Sequence, residues 1–558
     1  MDSHPGESLP VSPGSTLDRG MSVERRINDR FEEDGTLNSG GPEFIPVETI
    51  PLHEVCRSRS KEDSAGQHRK SDQPIVVGDG RADHSSLRLH DAVNMAKGLA
   101  QRQGKDSTHV RDRNTPTSNV SRSLFALRAK AKGDPKHRFR ALARLLDREL
   151  LTEAFQRLKR RASPGIDGVT HATYAEDLEK NITDLVRRLK EGRYRARHVK
   201  RQWIPKAGGQ KFRPLGIPVL EDKIVQQAVK MILEAIWEED FYDESIGYRP
   251  GKKGARQSSR DLRETLNGGT YRWIVEADIR SFFDHMDHAW LVRMLEERIA
   301  DRGLIALIVK WLKAGVLEEG SKVVHPATGT PQGGVISPIL ANIYLHFVQD
   351  HWIKRVVMPQ SRGKVHFMRY ADDSVVCFEL ESDARAYLQT LPKRLEKFHL
   401  QLAEEKSALV RFERWNPDQS GRFTFLGFDF YWARTQRNPH FIVVKRGTNK
   451  EKFRAALRAF KEWIRRSRHE KLPELLIVLR RKLRGYYNYY GVMGNSRMLA
   501  KYDLKVKAIL FKWLNRRSQR RSMTWTQFVD RLKDWDLPLP HVVEKPLYET
   551  LPKRKQPA

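Results

Sequence analysis

The sequence is short of cysteine, of long apolar runs and, over residues 1–115, of aromatic side chains. Only two cysteines occur in 558 residues, Cys56 and Cys377, far apart and without paired spacing. That excludes a disulfide framework and a cysteine zinc site, and it suits a reducing cytoplasm. No uninterrupted apolar run approaches the roughly 18–20 residues that span a bilayer, so no membrane partner is expected. The first residues, Met1-Asp2-Ser3-His4-Pro5-Gly6, lack the basic start and apolar core of a secretory signal. Residues 1–115 contain only Phe31 and Phe44 as aromatics and are rich in Ser, Gly, Pro and charge. Such a segment buries too little apolar surface to offset the entropy of ordering it. Residues 1–119 are therefore expected to form a disordered extension.

What the chain has in excess is positive charge. Its formal net charge is +32 and its sequence pI about 10.0, so a polyanionic partner is the default expectation. The charge is unevenly placed. Residues 1–115 hold 16 Lys/Arg against 19 Asp/Glu, whereas residues 437–558 hold 31 against 10. The positive field is concentrated towards the C-terminal end.

Against this basic background, three acids stand in unusual settings. Phe367-Met368-Arg369-Tyr370-Ala371-Asp372-Asp373-Ser374-Val375-Val376-Cys377-Phe378 reads as strand, tight turn, strand, with two adjacent acids at the turn. Asp is a common turn residue, but burying two carboxylates together is costly unless cations neutralise them. Upstream, Tyr271-Arg272-Trp273-Ile274-Val275-Glu276-Ala277-Asp278 is a β-forming run that ends on a third acid. Asp278, Asp372 and Asp373 fit the few-carboxylate demand of Mg²⁺, which keeps substrate phosphates and water in its remaining positions. Asp284 and Asp287 are expected on a solvated helix face or capping a turn. Between these acids, Pro331-Gln332-Gly333-Gly334 precedes the apolar helix Ile339–Leu345, a place where backbone approaches an anionic ligand closely.

These motifs resemble, in order, those of reverse transcriptases. Ile204-Pro205-Lys206 and Arg213-Pro214-Leu215-Gly216-Ile217-Pro218 come first, then Asp278 with Phe282-Phe283-Asp284. Pro331-Gln332-Gly333-Gly334, Tyr370-Ala371-Asp372-Asp373 and Phe425-Leu426-Gly427-Phe428 follow. Ser163–Gly168, Gly247-Tyr248-Arg249-Pro250 and Arg484-Gly485-Tyr486-Tyr487-Asn488-Tyr489-Tyr490 are similar to segments of the reverse transcriptase/maturase proteins of bacterial group II introns. The likeness runs from about Ser123 to the C-terminus.

The resemblance implies an α+β right hand: fingers and palm over 120–435, a helical thumb or maturase X domain over 436–515, and a short basic DNA-binding region over 516–558. It implies an RNA-directed DNA polymerase, a nucleotidyltransferase that copies intron RNA and assists the splicing and mobility of that intron. Asp278, Asp372 and Asp373 would be catalytic and hold two Mg²⁺ ions. Lys206 and Arg213 would clamp the incoming triphosphate, Phe283 would exclude a ribose 2′-hydroxyl, and Gln332 would contact the nucleotide. Partners would be intron RNA, a template RNA with DNA primer, target DNA and deoxynucleoside triphosphates, in a bacterial, nucleoid-associated setting with a homodimer left open. No cysteine follows Cys377, so the His-Asn-His nuclease of many relatives is expected to be absent. A splicing-only RNA-binding maturase and a free-standing reverse transcriptase of phage defence are the competing readings.

Helical periodicity predicts helices over 139–158, 174–189 and 222–237. Beyond Phe430, Phe453, Leu457, Phe460 and Ile464 mark the inner face of another helix. Arg454, Arg458, Lys461 and Arg465 lie on its other sides and are candidate nucleic-acid contacts, as are Arg484, Tyr486 and Tyr490. Reversing Arg454, Arg458, Lys461 and Arg465 together should weaken RNA binding. Removing any one cation from a phosphate should flatten the salt dependence by about one unit of slope. Deleting residues 1–94, which hold 11 Lys/Arg against 17 Asp/Glu and so add no net positive charge, should leave affinity almost untouched. Filter binding across a salt series measures both.

Overall fold

Folding of the first helix starts at a cap: the Ser118 hydroxyl accepts from the backbone N–H of Ser121, opening α1 (Asn119–Gly133). The computed structural model describes residues 118–205, 212–317, 323–324, 328–330, 333–435, 438–517 and 523–544. The expectations placed on residues 1–117, Lys206 and Gln332 lie outside that set.

The fingers are built on one long buried helix. In α4 (Leu220–Trp237), Ile224, Val225, Ala228, Val229, Ile232 and Ile236 are all fully buried at helical spacing. Helices α1, α2 (Arg148–Arg157) and α3 (Leu178–Lys190) surround it. Two of the expected helices are interrupted. The run predicted from Phe139 begins only at Arg148, capped by Asp147, whose carboxylate accepts from the Leu150 N–H. Phe139 instead bridges to Ile299, and Ala141 is left-handed at φ 56°, which helical backbone does not allow. The run predicted over 174–189 breaks at Asp177 into the end of a six-residue helix, His171–Glu176, and α3. Strands β1 (Val199–Pro205) and β2 (Phe212–Ile217) form an antiparallel hairpin, with β4 (Val316–Leu317) and β5 (Val323–Val324) completing a sheet of order β2-β1-β4-β5.

The palm sheet has the order β6-β7-β3-β8, all neighbours antiparallel, from β3 (Trp273–Ala277), β6 (Val365–Tyr370), β7 (Asp373–Phe378) and β8 (Ala408–Arg411). One face packs α8 (Ser337–Leu345) and α9 (Glu381–Lys397), joining the same core as the fingers. The other carries α5 (Ala255–Asn267) and a second sheet, β11-β10-β9, from β9 (Phe423–Phe425), β10 (Phe428–Arg434) and β11 (Ile442–Thr448). Four thumb helices follow: α10 (Lys450–Ser467), α11 (Leu472–Tyr490), α12 (Ser496–Leu514) and α13 (Trp525–Asp534).

Two domain boundaries drawn from the sequence do not coincide with breaks in packing. The boundary at 435/436 falls inside the β10–β11 hairpin, whose register runs Phe428↔Thr448 to Arg434↔Ile442. The boundary at 515/516 falls inside the thumb core, because Phe528 and Trp535 are buried with Phe453, Tyr502 and Trp513. The chain then turns back across the thumb–palm junction. Glu544 forms a buried ion pair with Arg446 of β11 at 2.5 Å and accepts from the Met493 N–H. No helix among the described residues is long and apolar enough to cross a membrane.

Candidate active site

The palm sheet brings the three acids together by register alone. Tyr370 pairs with Asp373, so Ala371 and Asp372 form a two-residue hairpin turn, with Ala371 at φ 59°. A left-handed alanine costs on the order of 1–3 kcal/mol and persists only where its surroundings hold it. In the neighbouring strand Ala277 pairs with Ser374, and the next step along β3 places Asp278 level with Asp373. All three carboxylates thus stand at one end of the sheet.

Their electrostatics show strain of a different kind. Burial raises the Asp372 carboxyl above its ordinary value, with Asp278 adding to the rise and Arg213 and Arg369 opposing it. Asp373 is pushed up to about 6, first by burial and then by Asp372 and Asp278, while Lys452 and Lys406 pull it down. Its side chain stays open to solvent, so the rise reflects the protein massed around the site and the neighbouring acids rather than enclosure. Lys406 reaches in from the segment before β8 and its Nζ donates to Asp278 Oδ2 at 2.5 Å. An ammonium group therefore stands where a cation is demanded.

Among the described residues, no group of three or more acids, histidines or cysteines is drawn into a ready-made metal cage. The donor set, all carboxylate oxygen, fits a hard divalent ion. Asp284 is exposed, and Asp287 caps α6 (His288–Glu296) and pairs with His399; neither joins the cluster.

The fingers and the segments around Phe283 form the adjoining wall. Arg213, opposite Ile204 in the β1–β2 hairpin, is exposed and acts electrostatically on Asp372 and Tyr248. Of the two adjacent rings, Phe282 is core at 2% exposure, whereas Phe283 is half-buried and available to a ligand. The Phe283 carbonyl accepts from the Thr330 N–H, tying that ring's backbone to the stretch of chain leading to Pro331-Gln332. Gly333, at φ 116°, lies so close to the Gly216 carbonyl that a Cβ would meet it at 2.6 Å. The Gly-Gly loop is therefore pressed directly against the fingers strand β2.

On the thumb side, Arg454, Arg458, Lys461 and Arg465 are exposed along α10, Arg465 being paired with Glu462 at 2.8 Å. Arg484 is exposed on α11. Tyr486 does not serve as a base-stacking platform, contrary to expectation. It is buried at 9% exposure and stacks on Tyr502 with ring centroids 3.5 Å apart. Tyr490 is half-buried against Gly427, whose Cβ would meet its hydroxyl at 3.3 Å, and Tyr489 donates to the Leu426 carbonyl. The β9–β10 turn is thereby fastened to α11.

Three further residues belong to the site. Lys406 is distant in sequence from Asp278 and carries no motif of its own. Lys452 lies on the first turn of α10, with the other basic residues of that helix, yet acts on Asp373. Tyr248, left-handed at φ 61° and 46% exposed, has its hydroxyl pushed up to about 12 by the protein massed around it and then by Asp372. Its Gly-Tyr-Arg-Pro setting was the available signal.

A family model described as reverse transcriptase (RNA-dependent DNA polymerase) matches residues 204–430, and one described as the group II intron maturase-specific domain matches 453–531. The chain is 26% identical over 475 residues to the group II intron-encoded protein LtrA of Lactococcus lactis subsp. cremoris, covering 71% of this chain and 77% of that protein. It is 37% identical over 240 residues to protein YkfC of Escherichia coli (strain K12), covering 42% of this chain and 62% of that one. A putative COX1/OXI3 intron 2 protein of Saccharomyces cerevisiae is 24% identical over 445 residues, covering 67% and 47% respectively. The maturase-specific match runs through α13, as the thumb core does.

Two thumb positions separate packing from binding. Tyr486→Ala should destabilise the fold by about 3–5 kcal/mol, the cost of emptying a buried aromatic site. Arg484→Ala should leave stability unchanged and reduce the salt slope of RNA binding by about one unit. Denaturant unfolding and salt-titrated binding check the pair.

Proposed function

The chain belongs to the reverse transcriptases encoded by group II introns, and on that premise we propose how its own residues carry out RNA-directed DNA synthesis. Asp278, Asp372 and Asp373 hold two Mg²⁺ ions. When bound, the ions supply Lewis-acid activation of the primer 3′-hydroxyl and neutralise charge on the departing pyrophosphate. The observation that carries this reading is the convergence of three carboxylates at one sheet end, two with raised proton affinity and one held by Lys406.

The remaining roles are those that the family resemblance implies. Arg213, with Lys206 of the neighbouring segment, binds the triphosphate of the incoming deoxynucleotide, a task suited to a forked guanidinium and a point charge. Phe283 borders the sugar and leaves no room for a 2′-hydroxyl, while Phe282 holds it from below at a ring distance of 5.3 Å. Gln332 contacts the nucleotide. Arg454, Arg458, Lys461, Arg465 and Arg484 grip intron RNA or the template–primer through phosphates. Through that grip the protein assists splicing of its intron and copies it during mobility into target DNA. A splicing-only maturase has no use for a mutually repelling acid cluster flanked by cations from fingers, palm and thumb.

Replacing Asp372 and Asp373 together by Ala should abolish extension of a DNA primer on an RNA template, with RNA binding and splicing assistance retained. Extension near the wild-type rate would refute the assignment. Phe283→Ala should admit ribonucleotides while deoxynucleotide use persists; unchanged discrimination would place the sugar boundary elsewhere.

A further inference from the structure

Directly beneath the catalytic turn lies a buried polar group that the chemistry above does not use. Arg369, on β6 two residues before the turn, is 0% exposed, and all five of its N–H donors are engaged. Its Nε and Nη2 form a fork on Asp350, at 2.7 and 2.6 Å. Nη2 also donates to the Ser245 hydroxyl at 2.6 Å. Nη1 donates to Asn342 Oδ1 at 3.0 Å and to the Ala371 carbonyl at 2.9 Å. The last bond holds the one left-handed residue of the turn.

The same helix reaches the other strand of the hairpin. After α8, residues His346–Asp350 form a π-helical turn, which widens the helix and lets consecutive residues face the sheet. Asp350 meets Arg369 just before the acids, and Gln349 donates to the Ser374 hydroxyl at 2.8 Å just after them. A third element closes the arrangement. The Arg369 N–H donates to the Glu244 carbonyl and its carbonyl accepts from the Ile246 N–H, both at 2.9 Å. Gly247 follows, its carbonyl accepting from Asn342 Nδ2, in contact so close that a Cβ would meet the Ala371 nitrogen at 2.3 Å.

We propose that Arg369 is a positioning residue for DNA synthesis: with Asp350 as its anchor, it fixes the Ala371 carbonyl and so sets where the Asp372 and Asp373 carboxylates point. A purely apolar core would fill this space at less cost, since burying an ion pair seldom raises stability. What the guanidinium adds is direction. It ties a strained backbone carbonyl to a rigid helix through bonds of defined geometry. The proposal rests on the reading of Asp372 and Asp373 as the reaction's carboxylates.

The test compares Arg369→Lys, Arg369→Met and the paired Arg369→Met/Asp350→Leu, the last leaving no orphan buried charge. Expected is a kcat lowered by about 100-fold in all three, with nucleotide KM and template–primer affinity within about three-fold of wild type. Mn²⁺ binding to the free protein, followed by electron paramagnetic resonance, should weaken in parallel, and intron RNA binding should persist as proof of folding. Lysine should not rescue, because it keeps the charge and loses the fork. Wild-type kcat and Mn²⁺ affinity in the folded paired variant, with only the melting temperature changed, would overturn the proposal. Asp372→Asn in the same assay separates the two readings: if it too retains wild-type synthesis, the carboxylate assignment itself has failed.

Discussion

Mutual repulsion among Asp278, Asp372 and Asp373 is the constraint to which the rest of the molecule answers. An antiparallel sheet gathers them because strand register allows nothing else, and the surrounding protein raises the cost of charge on Asp372 and Asp373. A protein that held this cluster for stability alone would gain by replacing it. Its retention requires cations, and cations are what the surrounding elements present: Arg213 from the fingers, Lys406 from within the palm and Lys452 from the first turn of the thumb.

Each part of the hand thus touches the site through charge and touches its neighbours through backbone. Gly333 lies against the fingers strand, the Phe283 carbonyl against Thr330, and the Leu426–Gly427 turn against the tyrosines of α11. Glu544 fastens the chain's return to β11 and to the loop after α11. Nucleic acid gripped by α10 as proposed would be held on a helix whose first turn is electrostatically coupled to Asp373.

Much of the site was legible in the sequence, for a physical reason. Val375, Val376 and their partners alternate or cluster as β residues must, so acids in the turn between them stand out. The α4 helix was equally plain, since its apolar positions repeat at helical spacing, and all but the half-buried Ala235 are buried. What escaped depends on contacts distant in sequence. Helix α2 starts late because Phe139 pairs with Ile299 and Ala141 turns left-handed, neither of which a local pattern encodes. A tyrosine among arginines looks the same whether it stacks on a base or on Tyr502, so local pattern could not place Tyr486 in the core. The tail after Arg516 resembled a separate basic region because its charge hides two buried aromatic rings, Phe528 and Trp535. Lys406 was invisible because only the fold brings it to Asp278.

Asp278, Asp372 and Asp373 would hold the divalent ion as proposed, and the ion would supply the positive charge that Lys406 Nζ now brings to Asp278. Hydroxyl-radical cleavage from Fe²⁺ bound in place of Mg²⁺ tests it directly, because the radicals cut backbone only near the ion. The expected cuts lie at the end of β3 by Asp278 and at the β6–β7 turn, suppressed by excess Mg²⁺ and lost in Asp372→Asn. Cuts elsewhere, or cuts at those positions that Mg²⁺ does not compete away, would contradict it.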